Sequence, residues 1–498
     1  MRYHPLTMVF QIYQLVKNSF LIALFLFVIK RDSAFWLFEY GRYVFVIAML
    51  LSLVYIVVSW IVEKYEWKDQ TFYIYKGIFV KHTSIIPFSK VQNVTKKTTF
   101  FHKVIGLTSL TLETAMDGND DAIRFPVLSK EKADYLVELV QSGDHPQNIE
   151  EVSSETAEST QQKQEAADRV IHFTPSRNDL WRASFTSLSF LAIIPIVLGL
   201  IENIGPLLPD TDLFEGIFQV LLDNKGLLVG VIVLTAMLAA GFGVVRTFIR
   251  YGKYEISSNS THIFIDRGVL DESSFMIEKE KIQGLEMHQT WLKRIFGLVE
   301  VKLISSANTD NKDGSVSVNS LYPFLPLNKA YQLIEEVLPI YQLNNELQRL
   351  PKQALWLKLC RPSWIWILAT IGLGIFKPNF LQIQQAWWIL SLVILFVIIL
   401  HRILDYMHTR YAVTSDQVQW WHGGLTSRMF ITKRKKVIEL TYSQTRLQKY
   451  FQVASITTVN RSNPPHMETL DDIPVEYGQA IENWYLKRQE DVLLEKNL

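Results

Sequence analysis

Residues 90–107 read KVQNVTKKTTFFHKVIGL, residues 281–298 read KIQGLEMHQTWLKRIFGL, and residues 436–453 read KVIELTYSQTRLQKYFQV. In the first two, Val91, Gln92, Phe100, Lys103, Gly106 and Leu107 match Ile282, Gln283, Trp291, Arg294, Gly297 and Leu298 at one constant offset. Gly77 matches Gly268 at that same offset. The third copy keeps Gly423, Val437, Leu447, Lys449 and Val453 in register, but carries Ile438 for the glutamine and Gln452 for the second glycine. Self-similarity of this kind marks one structural unit used repeatedly. Val91 and Val94, like Ile282 and Leu285, read as the inward face of a strand. Phe100 and Phe101, like Trp291 and Leu292, open a short helical turn, and Gly106 or Gly297 releases the chain into the next strand.

The residues around each copy extend the unit. Upstream lie FYIYKGIFVKHTSIIPF, HIFIDRGVLDESSFMI and VQWWHGGLTSRMFI, dense in β-branched and aromatic residues with a glycine turn. Downstream come LTSLTLETA, VEVKLISS and SITTVNR, and then a helical pattern: SKEKADYLVELVQ after Pro126, NKAYQLIEEVLPIY after Pro326, and PVEYGQAIENWYLKR from Pro474. Before each unit stands a pair of apolar runs: 12–29 and 43–62, 185–204 and 227–249, 364–376 and 387–404.

A spanning helix needs about 20 apolar residues. The runs 12–29, with Lys17 and Asn18 inside it, and 364–376, which is short, read either as full spans or as tilted or re-entrant segments. Full hairpins would keep all three soluble units in one solvent. Arg177, Arg182, Arg246, Arg250 and Lys253 flank the second pair, whereas its loop carries Asp210, Asp212, Glu215 and Asp223 against Lys225. Lys352, Lys358, Arg361, Arg402 and Arg410 flank the third pair, with Lys377 between. The positive-inside rule then places the units in the cytoplasm; the first pair, with Lys30, Arg31 and Arg42 in its loop, is less clear. Trp181, Trp356, Trp364, Trp366, Trp387 and Trp388 suit the headgroup belt.

The fold class expected is therefore membrane helical hairpins plus mainly β soluble modules, each a bent sheet capped by a C-terminal helix. The expected division is hairpin 1–63, module 64–141, flexible acidic linker 142–172, hairpin 173–250, module 251–342, hairpin 343–406 and module 407–490. Length agrees, at about 150 residues per domain for a chain of 498. The 50 Lys and Arg balance 49 Asp and Glu, which argues against nucleic acid as the main partner, and the lone Cys360 excludes internal disulfides. The N-terminus reads as an uncleaved anchor.

The strand turn YKGIF or DRGVL, followed by K-(V/I)-Q-x-(V/L), an aromatic or leucine pair, a basic residue and G-L, resembles the bacterial pleckstrin-homology domain of YdbS/YdbT-type membrane proteins. The resemblance covers essentially the whole chain. It implies a bent antiparallel sheet of about seven strands capped by a helix, no enzymatic activity and no cofactor. It further implies a part in bacterial resistance to membrane-active peptides such as bacteriocins, with membrane lipids and a smaller YdbS-like membrane protein as partners. Phosphoinositide binding is not carried over, because no basic cluster surrounds Gly77 or Gly268.

Three groups carry residue types that could do chemistry. Lys433, Arg434, Lys435 and Lys436 lead into the third copy and suit either anionic lipid or a solvated strand edge. Lys103, Arg294 and Lys449 recur at one position of the repeat and read as solvated basic side chains or partner contacts, beside Gln92 and Gln283 closing the turn. His401, Asp405 and His408 share a helix face and could hold a metal, although a polar helix end is the plainer reading. No nucleotide loop, nucleophile elbow or zinc-protease motif is present, so an exporter role would need a separate ATPase. Almost no ionisable residue lies mid-span; Pro195 suggests a kink, Glu202 an outer end, and Gly241 and Gly243 close helix packing.

Overall fold

A computed structural model describes residues 1–29, 36–78, 80–114, 122–142, 169–186, 224–305, 320–344, 346–376, 386–462 and 464–488. Of the expected linker 142–172, residues 143–168 lie outside them, as do Lys30, Arg31, Pro195, Glu202, Lys377 and the acidic residues between the third and fourth apolar runs; the end of that linker is not linker, because residues 170–172 belong to a strand. The chain divides into two units, Met1–Arg169 with Phe264–Glu278, and Val170–Ile263 with Lys279–Leu498.

In the first repeat the strands are β1 (Lys64–Lys68), β2 (Thr71–Lys76), β3 (His82–Pro87), β4 (Val91–Thr98), β5 (Leu107–Thr114) and β6 (Ala122–Ser129). The second repeat adds β7 (Val170–Phe173), β8 (Glu255–Ser258), β9 (His262–Arg267), β10 (Glu272–Glu278), β11 (Ile282–Gln289), β12 (Leu298–Ser305) and β13 (Ser320–Pro326). The third supplies β14 (Gln348–Arg349), β15 (Arg410–Val413), β16 (Gln417–His422), β17 (Ser427–Lys433), β18 (Val437–Ser443), β19 (Val453–Asn460) and β20 (His466–Pro474). Each repeat closes with a helix, Lys130–Ser142, Leu327–Val337 or Val475–Leu486. The glycine turns work as the sequence suggests. Gly77, Gly268 and Gly423 hold φ of 102°, 96° and 127°, and a Cβ on any of them would sit about 2 Å from the carbonyl oxygen three residues on.

The first unit holds a three-stranded sheet, β1-β2-β3, and a sheet in the order β6-β5-β4-β10-β9. Phe72, Ile74 and Ile86 from one and Leu110, Leu112, Ile123 and Phe125 from the other meet Ala133 and Leu136 of the closing helix in one core. Each of the leucine, isoleucine and phenylalanine side chains contributes about 1.5–3 kcal/mol by leaving water. The second unit holds the pair β7-β8, a seven-stranded sheet β13-β12-β11-β17-β16-β15-β14 and a sheet β18-β19-β20. Val418, Trp420, Phe430, Val437, Ile456, Leu470, Ile473 and Ile481 form a fully buried core there.

Short strands that precede the hairpins, β7 and β14, were not foreseen from the sequence. They decide the topology. Val170 pairs with Ser258, Arg349 pairs with Arg410, and in the first repeat Arg2 bridges Lys64 while the Trp60 indole donates to the Tyr3 carbonyl at 3.0 Å. The chain just before each hairpin thus meets the chain just after it. Among the described residues four helical stretches are long and apolar enough to span: Phe38–Val62, Val233–Tyr251, Lys352–Phe376 and Ala386–His408.

The open question of the 364–376 run is answered by its contacts. The Arg402 guanidinium donates to the Arg361 carbonyl at 2.7 Å, the Trp366 indole donates to the Ser391 carbonyl at 3.1 Å, and Gly374 lies against Trp387. The fifth segment thus descends beside the sixth to its far end, and the extended residues 361–363 make up for a helix only 13 residues long.

Candidate functional site

The repeated sentence builds the contact between repeats. In the first unit β4 pairs with β5 on one side and β10 on the other; in the second, β11 pairs with β12 and β17. The two junctions share one register. Asn93 lies opposite Ile277 and Thr98 opposite Glu272, while the equivalent Gly284 lies opposite Thr432 and Gln289 opposite Ser427. All three copies carry the same bulge, at Val91/Asn93, Ile282/Gly284 and Val437/Glu439. At the second junction a Cβ on Gly284 would meet the Ile431 carbonyl oxygen at 2.9 Å, a closer approach than at the first junction, where Asn93 occupies the equivalent place.

Polar groups fasten these edges. Lys103 Nζ lies 2.6 Å from Glu272 Oε1, and the Phe100 amide donates to Asp271 at 2.9 Å. At the second junction Arg428 Nε lies 2.9 Å from Glu286 Oε1, and the Gln283 carbonyl accepts from Thr432 Oγ1 at 2.8 Å and Asn460 Nδ2 at 3.3 Å. Behind Arg428 sits Glu468, 2% exposed, bonded to His422 and 3.6 Å from His466 Nε2. Burial pushes the Glu468 carboxyl up, but the His422 hydrogen bond with the charges of His422, Arg428 and His466 carries it below its usual range. Burial holds His466 below the ordinary histidine value. On the β12 side of β11, Glu300 binds Lys293 at 2.9 Å, and burial leads the causes that lower His288 to about 4.

The short helices are a second surface. Phe100, Phe101, Val104 and Ile105 are exposed, as are Trp291 and Ile295, and Leu447 and Tyr450 in the third copy. The sequence reading gave these aromatics fold duties; the structure turns them outward, because the buried anchors of the turns are His102, Lys293 and Gln448 instead. In the first unit Phe101 lies 6.0 Å from Tyr13, and His102 stacks at 4.1 Å on Phe10, both rings on the first apolar helix. Lys103, Arg294 and Lys449 share this turn; Lys449 is exposed, and Arg294 is half-buried. Where the first unit's hairpin meets its sheet, Tyr3, Trp60, Glu63, Lys76 and Arg124 line a cleft of about 250 Å³.

The basic run is mostly tied down. Lys433 pairs with Asp416 at 3.1 Å, Arg434 donates to the Trp484 carbonyl at 3.5 Å, and Lys436 donates to the Glu280 carbonyl at 2.6 Å; Lys435 is the most exposed of the four. Gln283 closes its turn on the Lys281 carbonyl at 3.0 Å.

His401, Asp405 and His408 hold a turn. Asp405 binds Lys358 and accepts from the Gly423 amide at 2.9 Å, His408 faces the Gly423 carbonyl at 3.3 Å, and His401 accepts from the Leu425 amide at 3.4 Å. Among the described residues no three His, Cys, Asp or Glu side chains are grouped to hold a metal ion. Arg361, read from the sequence only as a charge flanking the third apolar pair, clamps Asp471 at 3.1 Å and Asp472 at 3.0 Å with its guanidinium.

Comparison with known proteins agrees with this geometry. The family model described as Bacterial PH domain matches three times, at residues 19–143, 207–339 and 365–489. The transmembrane protein YdbT of Bacillus subtilis (strain 168) is 24% identical over 498 residues, covering 98% of this chain and 99% of that protein. No solved structure matches.

Proposed function

The chain belongs to the bacterial PH domain family, and from that premise we propose a non-enzymatic, multi-pass protein of the bacterial cell membrane. It holds three PH-like modules against the cytoplasmic face, where they bind lipid and protein and help the cell tolerate membrane-active peptides such as bacteriocins. The observation that carries this reading is the outward aromatic and basic turn repeated in every module, stacked in the first unit on an apolar helix through Tyr13–Phe101 and Phe10–His102. Aromatic rings with adjacent Lys or Arg suit a headgroup layer, and each basic residue near an anionic surface contributes about 1 kcal/mol. The cytoplasmic side is supported by Arg177, Arg182, Arg246 and Arg250 at the module end of the second hairpin.

The test compares peptide sensitivity of a deletion strain, the strain complemented with the chain, and one complemented with a Phe101→Ser, Trp291→Ser, Tyr450→Ser variant. Sensitisation by the deletion, reversed by the parent chain and not by the variant, is expected. Equal sensitivity of all strains across several peptides would discard the reading.

A further inference from the structure

Two strand edges repeat the junction chemistry without a partner strand. Among the described residues β18 pairs only with β19, and β3 only with β2. β18 is the third copy of the strand that is β4 in the first unit and β11 in the second, and both of those are largely buried between two neighbours. In β18 only Val437 is buried, and Ile438, Glu439, Thr441, Tyr442 and Ser443 are exposed. Edges this open invite another strand.

The geometry points to β18 as a docking edge for the glycine-turn hairpin of a PH-like module on a different chain. This deepens the reading of the modules as a binding array and rests on it. The two junctions fix the expected pairing, since both take the same antiparallel register. Carried to the third copy, that register sets Glu439 to Gln444 against the partner strand that follows its glycine turn. Asn93, buried at the position equivalent to Glu439, shows that a side chain fits there beside a paired strand.

Charge selects the partner. At the first junction Lys103 meets Glu272, and Asp271 accepts from the Phe100 amide. Lys449 stands where Lys103 does and is exposed. Among the described residues the other open strand of the right kind is β3, and the shared register would put Lys81 where Glu272 sits, opposing Lys449 with a like charge. A second copy is thereby disfavoured, and the complement is a module with Asp or Glu three or four residues after its turn glycine, as in Gly268-Val-Leu-Asp271-Glu272.

The experiment places a photoreactive side chain at the exposed Thr441 of the full chain in native membranes. A control probe at Ser274 reports the β4–β10 pairing internally. The expected product joins position 441 to the strand after the glycine turn of a PH-like module on another chain. Lys449→Glu should lower its yield about three- to five-fold, the scale of a half-exposed ion pair, with recovery on reversing the partner's acidic residue. Products with β3 of a second copy, with residues 489–498 of the same chain, with lipid alone, or no product while the Ser274 control reacts, each overturn the proposal. The peptide assay stays separate: a crosslink without any sensitivity change removes the tolerance role and leaves the docking edge standing.

Discussion

Arg428 on β17 reaches Glu286 on β11 at 2.9 Å across the line where two copies of the repeat meet, and its NH1 lies 3.6 Å from the buried Glu468 on β20. One guanidinium on β17 therefore reaches two further strands, β11 in its own sheet and β20 in another. The repeats of the second unit are joined by backbone pairing, with an ion pair laid across it.

That arrangement predicts a measurable coupling. Arg428 is nearly half exposed, so its pair with Glu286 should give about 0.5–1 kcal/mol in a double-mutant cycle of Arg428→Ala and Glu286→Gln, read from thermal unfolding of the full chain in detergent. Arg428→Ala alone should cost more than the cycle, because Glu468 also loses a countercharge. Strictly additive single effects would show that the pair does not hold the junction.

Gly284 separates two reasons for a glycine. Gly284→Ala places a Cβ 2.9 Å from a backbone oxygen of the paired strand, which cannot rotate away, and should cost about 1–3 kcal/mol. Gly106 holds φ of 73° with open space around it, and its counterpart Gln452 adopts φ of 54° with a side chain. Gly106→Asn should therefore cost under about 1 kcal/mol. Melting temperatures of the two variants in one detergent settle the order, and equal losses would refute the packing argument for Gly284.

The turn glycines, the strand around Val91 or Ile282 and the closing helices were legible because alternation and φ > 0 leave marks in the residues themselves. The partner of each strand was not. Alternation tells that β4 has a buried face, but nothing in KVQNVTKK says that its second neighbour starts at Glu272, far along the chain. β14 has two residues, too few for any period to register. The site residues follow the same division. Lys103 was singled out by recurrence, whereas Arg428 and Glu468 fall where the repeats differ and carry no repeated signal.

Acidification should loosen the second unit from a definite pH. Burial keeps His466 and His288 below the ordinary histidine value, His288 at about 4, so the unfolded chain takes up these protons first. Stability is then lost as pH falls below about 6.5, at up to about 1.4 kcal/mol per pH unit for each histidine. Glu468 and Glu300 are held below the usual carboxylate range, so their contribution is retained until pH falls through about 4.5 and lower. Denaturant midpoints from pH 7.5 to 5 should decline, and His288→Gln together with His466→Gln should flatten the curve. An unchanged slope in that variant would remove both groups as its source.

Asp405 separates a structural clamp from a metal site. Its carboxylate binds Lys358, itself almost fully buried, and accepts from the Gly423 amide, so it holds the β16–β17 turn on the sixth apolar helix. Asp405→Ala leaves the Lys358 ammonium buried without its countercharge and should cost about 3–5 kcal/mol, the range for one partner removed from a buried pair. His401→Ala and His408→Ala break single contacts to the same turn and should each cost about 1 kcal/mol. A chelator should leave the melting temperature of the parent chain and of both histidine variants where it was. A chelator-induced drop in the parent that vanishes in His401→Ala would instead mark a bound metal and reverse this assignment.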